Sequence, residues 1–229
     1  MKRFWREVAV DADAVVALDG RPVRTPGRAP LALPTPALAD LVAAEWRAVA
    51  EVVDPRAMPL TGLANAAIDR IAPDPAAFAA GLARYGESDL LCYRAEHPAE
   101  LVARQAALWD PPLAWARDRY DVHWQIATGI IHQPQPPATV ARLGAAVAAL
   151  DPFRLAACSP LVTITGSLVL ALALVDQAMT PDDAWSAAQA DEDWQAEQWG
   201  EDVLAAQARA NRRREFDAAC QFLSAAERD

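Results

Sequence analysis

"VVALDGRPVRTPGRAPLALPTPALADLV", residues 15–42, changes its hydrophobic period halfway along. In its first half, "VVAL" and "RPVRT" flank Asp19-Gly20. Asp-Gly between two apolar runs predicts a two-residue hairpin, because both turn residues must accept positive φ. "TPGRAPLALPT" adds another turn and a short strand, and "FWREVAV" upstream alternates as a strand does. At Thr35 the pattern switches. Thr35 can cap a helix, and Pro36 suits its first position, where no amide hydrogen is needed. Leu38, Leu41, Val42, Val49 and Val53 then recur on one helical face. Strands giving way to helices place the chain in the α+β class.

The pattern continues outward from there. A second helix is expected near Thr61, with Leu60, Ala64, Ile68 and Ile71 inward, and Asp74-Pro75 opens a third, to about Tyr85. "DLLCYRA", 89–95, reads as a last strand or an extended crossover. Beyond residue 97 the chain reads as mainly helical. Pro98 opens a long helix with Leu101, Leu108 and Trp115 inward, broken or kinked at Asp110-Pro111-Pro112. Pro137 and Asp151-Pro152 start further helices, and Thr180 caps a final pair. The expectation is a small N-terminal, β-rich α+β domain with hairpins over 1–95, then a larger all-helical C-terminal domain over 96–229. The apolar run "LVTITGSLVLALALV", 161–175, falls short of the roughly 20 residues that span a bilayer and is expected as a buried core helix.

Composition narrows the function. The 229 residues are 53% hydrophobic and carry a net charge of −10, which argues against nucleic acid or anionic membranes as partners. Cys92, Cys158 and Cys220 are dispersed and odd in number, so neither a disulfide framework nor a zinc ribbon is expected, and a reducing compartment fits. "MKRFWREVAVDAD" has no secretory or transit character, and no leader or membrane insertion is expected. His97, His123 and His132 show no metal spacing, and no phosphate loop or nucleophile elbow occurs. No cofactor and no metal are expected.

"ADEDWQAEQWGED", 190–202, packs six acids and two tryptophans into thirteen positions. At about 100° per residue, Asp191, Glu192, Gln195, Trp199 and Asp202 share one helical face. If the helix runs through, Ala184, Ala188 and Ala206 lie on that face too. Glu192 and Gln195 are then expected to be partly buried, and a buried carboxylate needs a cation or several donors. Such a stretch serves as a solvated acidic helix with tryptophans at its edges, as a carboxylate pair for acid/base work, or as an interaction surface in which aromatics anchor and acids orient. Glu45 and Gln105 fall on apolar faces and are expected as satisfied core polar groups. Trp46 lies at the edge of its stripe. Asn65 and Asp69, four apart, are expected to hold a local polar network.

The blocks "KRFWREVAV", "LDGRPVRTPGRAPLALPT", "AAEW", "MPLTGLANAAID", "DLLCYRAEHP", "GSLVLALAL" and "DEDWQAEQWGED" occur in order over almost the whole chain. Together they resemble the F1-ATPase assembly chaperone family dedicated to the alpha subunit, found in mitochondria and alphaproteobacteria. The resemblance implies the same two-part fold and a function without catalysis: holding the unassembled F1 alpha subunit, and preventing its aggregation, until it pairs with beta. It implies an essential acid at Glu192, with Glu197 and Glu201 as neighbouring candidates. It also implies a functional tryptophan at Trp46. With Gln195 and Trp199 these are the expected partner-binding or supporting residues of a monomeric protein. The competing reading is a small-molecule enzyme using buried carboxylates such as Glu192 and Glu45.

Overall fold

The structure, a computed structural model, describes residues 1–129, 132–200 and 202–227. Strands β1 (Val8–Val10), β2 (Val16–Leu18) and β3 (Arg21–Pro22) form an antiparallel sheet in that order. Asp19 and Gly20 turn the hairpin at φ 48° and 76°, the positive values such a turn needs. Helix α1 (Pro36–Ala48) starts where the period switches. The Thr35 hydroxyl accepts from the Leu38 amide at 3.1 Å and donates to the Ala225 carbonyl. α1 ends at Ala48, with Val49 already extended, so Val53 lies outside the helix to which its spacing assigned it.

Glu45 is a satisfied polar group, as expected. Its carboxylate takes the Leu60 and Thr61 amides at 2.8 Å each and the Thr61 hydroxyl at 2.6 Å, capping α2 (Pro59–Ala66) from another helix. A π-helical turn, Ala67–Ile71, follows. There Asp69 accepts from the Thr25 hydroxyl and the Gly27 amide, both at 2.7 Å. The polar network at Asp69 therefore reaches the turn at 25–27. A Cβ on Gly27 would stand 2.6 Å from an Asp69 carboxylate oxygen that these bonds hold in place. Gly27→Ala is expected to cost about 1–3 kcal/mol. Gly62→Ala meets nothing within 4 Å on helix α2 and is expected to gain about 0.5–1 kcal/mol. Thermal melting of the two variants checks the contrast.

The remaining elements are α3 (Pro75–Ala83), β4 (Tyr93–Arg94), α4 (Ala99–Tyr120), β5 (Ala127–Thr128), α5 (Pro137–Ala148), α6 (Pro152–Thr165), α7 (Leu168–Val175), α8 (Pro181–Ala188), α9 (Ala190–Trp199) and α10 (Val203–Ala225). β4 and β5 pair in parallel. Strands at the front and many helices behind make the fold α+β with a helical C-terminal part. By contact the chain forms two compact units. The first is Met1–Pro75 with Asp151–Ala157 and Ala218–Asp229; the second is Ala76–Leu150 with Cys158–Asp217. In the first, Phe153 stacks on Phe222 at 6.4 Å and Arg154 pairs with Glu227 at 2.8 Å.

Within the second unit α4 packs on α7, α8 and α9. It runs unbroken through Pro111 and Pro112, and it buries Gln105, Trp109, Pro112, Leu113 and Ala116, not Leu101, Leu108 and Trp115. Proline's fixed φ matches a helix even though its missing amide does not. The polar Gln105 belongs to the buried face because its partners lie elsewhere in the fold: the Ala95 amide at 2.8 Å and Asp191 at 2.7 Å. The run 161–175 is buried but is two helices, not one. Gly166, at φ 66°, ends α6, and the Ser167 hydroxyl caps α7 by accepting from the Leu170 amide at 3.1 Å. Among the described residues no helix is long and apolar enough to cross a membrane.

Candidate functional site

The acidic stretch is not one continuous helix. α8 ends at Ala188, just before it; α9 carries four of its six acids, and Gly200, at φ 80°, ends α9 before α10. Asp202 caps α10 by accepting from the Leu204 amide at 2.7 Å. Ala184 and Ala188 are buried, as expected, but on α8. A break at Gln189 separates them from α9, although Ala188 still lines the same cleft as Glu192. Glu192, Gln195 and Trp199 instead form an exposed stripe at i, i+3 and i+7, which corrects the partial burial expected for Glu192 and Gln195.

Most acids of α9 are already engaged. Asp191 accepts from the buried Gln105. Asp193 pairs with Arg209. Glu197 takes two bonds from Arg104, at 2.9 and 2.6 Å, and these hold its carboxyl below the ordinary range. Arg104 also lies over the Trp194 ring at 5.3 Å. Glu197 thus fixes α9 onto α4. Among the described residues Glu192 has no ion pair, and it borders a cleft of about 450 Å³. Leu90, Trp109, Thr163, Ile164, Thr165, Gly166, Ala188, Asp191 and Gln195 line the rest. One turn on, Trp199 is 78% exposed, and Val203 and Leu204 beyond Gly200 are more so. Glu201 lies outside the described residues.

Under the cleft wall formed by Leu90 and Gly166 sits a carboxylate that sequence reasoning passed over. Asp89 is fully buried. It accepts from the Leu91 amide at 3.1 Å and the Val169 amide at 3.0 Å, and also from Ser167 and Leu168. Burial pushes its carboxyl up to about 6, against the pull of those donors. Its signal in the sequence was the acid directly before Leu90-Leu91, an N-cap arrangement for the short 3-10 turn Leu90–Cys92. Trp109, another unforeseen anchor, donates its indole N–H to the Ala187 carbonyl at 2.7 Å.

Trp46 belongs to the first unit and is core: 8% exposed, edge-on to Trp5 at 5.4 Å. Neither indole N–H finds an acceptor among the described residues. No group of three or more His, Cys, Asp or Glu among the described residues is placed to hold a metal ion.

Residues 2–117 match the family of the ATP12 chaperone protein. The crystal structure of Atp12 from Paracoccus denitrificans is 44% identical, covers 99% of this chain and 98% of its own, and superposes with a TM-score of 0.91. A lysine-for-aspartate mutant of the same Paracoccus protein, with equal identity and coverage, gives 0.93. A candidate chaperone from Agrobacterium tumefaciens is 42% identical over 99% of this chain and 86% of that one, with a TM-score of 0.92. The chain belongs to the ATP12 chaperone family.

Proposed function

We propose that this chaperone binds the unassembled F1 alpha subunit and covers the surface that beta later takes. The family serves assembly of the ATP synthase, so the client is a subunit of that enzyme. The observation that carries the reading is the outward face of α9. An unpaired acid at a cleft stands about two turns from an exposed tryptophan on the same face, and Val203 and Leu204 beyond it are exposed too. Buried aromatic anchors beside orienting charges are how protein interfaces concentrate their binding energy. Catalysis has no part in it: Glu45 caps a helix in the first unit, and the buried Asp89 serves backbone amides in the second. Trp46 supports the first unit from within, and Glu197 supports α9. The protein works in the bacterial cytoplasm as a monomer without metal or nucleotide.

Immobilised protein is expected to capture free alpha and to leave assembled F1 in solution, because assembly removes the surface a chaperone covers. Equal capture of the two would overturn the reading, as would a mass in light scattering larger than one chain.

A further inference from the structure

α9 shows on one side how this protein satisfies a carboxylate. Asp193 meets Arg209, and Glu197 meets Arg104. On the other side, among the described residues, no arginine or lysine reaches Glu192. Acids in the first turn of a helix are favoured by its dipole, which accounts for Glu192 being acidic but not for its place on an open cleft.

The rest of that cleft is rich in acceptors. Thr163, Ile164 and Thr165 are the last turn of α6, the negative end of a 14-residue helix. Gly166 turns the chain so that the next amides go elsewhere: Ser167 to the Thr165 hydroxyl at 3.2 Å, Leu168 and Val169 to Asp89. Among the described residues no later amide returns to the carbonyls of Thr163, Ile164 or Thr165.

We propose that this cleft receives an arginine side chain of the client, with the guanidinium on Glu192 beside the end of α6. The identity of the client rests on the alpha-subunit reading; the chemistry of the cleft does not. Arginine fits better than lysine because acceptors spread around a cleft call for a planar fork of five N–H donors, and because a guanidinium gives up its water more readily. Leu90 and Ile164 offer an apolar wall for its methylenes. Trp199, Val203 and Leu204 supply apolar contact to the residues flanking that arginine.

The test is an NMR titration of the full chain with N-acetylarginine amide, with the citrulline analogue (same shape, no charge) and with the lysine analogue. Saturable shifts are expected at Gly166, Ala188 and Gln195. The citrulline compound, and Glu192→Gln with the arginine compound, are each expected to bind about tenfold more weakly. Asp183→Asn is expected to behave as wild type. Equal binding of arginine and citrulline compounds, indifference to Glu192→Gln, or shifts confined to other surfaces would overturn the proposal. Capture of free alpha, run in parallel, separates the two ideas. Capture without arginine selectivity sinks the cleft's specificity and spares the client; selectivity without capture sinks the client and spares the cleft.

Discussion

Glu192→Lys is expected to abolish capture of the alpha subunit while the melting midpoint stays close to the wild-type value. The side chain is exposed and has no ion pair among the described residues, so charge reversal costs folding only the favourable helix-dipole contribution, about 0.3–1 kcal/mol. Binding loses much. Removing one member of a desolvated charge pair costs about 2–5 kcal/mol, and reversal adds repulsion. Affinity should fall by about two orders of magnitude or more. Asp183→Ala, an acid on the exposed start of α8, should capture as wild type. Calorimetry beside a capture assay gives both quantities. A midpoint several degrees lower would assign Glu192 to support of the fold. Normal melting with undiminished capture would move the essential acid elsewhere.

Asp89→Ala should cost more stability than any exposed substitution on the chain. Each buried donor left unsatisfied costs about 1–3 kcal/mol. The amides of Leu91, Leu168 and Val169 and the Ser167 hydroxyl lose their acceptor together. The sum approaches the 5–15 kcal/mol typical of a whole domain, so the chain is expected to be largely unfolded at 37 °C. The milder Asp89→Asn reports on pH. In the wild type the folded state holds the Asp89 proton up to about pH 6, the unfolded chain only to 3.8. Asp89 therefore contributes stability that is whole below pH 3.8 and is lost as pH rises through about 6. The displacement is worth roughly 3 kcal/mol. Glu45, also raised by burial, has the same sign. Asp19 and Glu197 are held low and act in the opposite direction, but only below their ordinary values of 3.8 and 4.5. The midpoint should thus rise as pH falls from about 7 to 5, and Asp89→Asn should flatten that slope. A wild-type midpoint that falls over this range would refute the assignment.

Much of the fold was legible because its signals are local. Asp19-Gly20 announces the hairpin and Thr35-Pro36 the first helix, each within four residues. Gly200 ends α9 in plain view. The break at Gln189 has no such mark, and the burial of the α8 alanines was carried over to Glu192 and Gln195, which are exposed. The core role of Gln105 was legible, but its apolar companions on α4 are Trp109, Leu113 and Ala116, not Leu108 and Trp115, because distant partners such as Asp191 and the packing of α7, α8 and α9 fix which side turns inward. Asp89 shows the same limit, since its donors come from Leu91 and from residues 167–169. The acids of the candidate site were visible as a group. Which of them is free to meet a client emerges only once Arg104 and Arg209 are seen to claim Glu197 and Asp193.

The make-up of the first unit sets a schedule for biosynthesis. Its sheet and α1 leave the ribosome early, yet Phe222, which stacks on Phe153, and Ala225, which receives the Thr35 hydroxyl, are made after every part of the second unit. Domains whose residues are contiguous can fold as they emerge; this one has to wait for residues 218–227. A nascent chain stalled near residue 200 would carry the acids of α9 but an incomplete first unit. The first unit is therefore completed only after every residue of the second, the acids of α9 included, has been made.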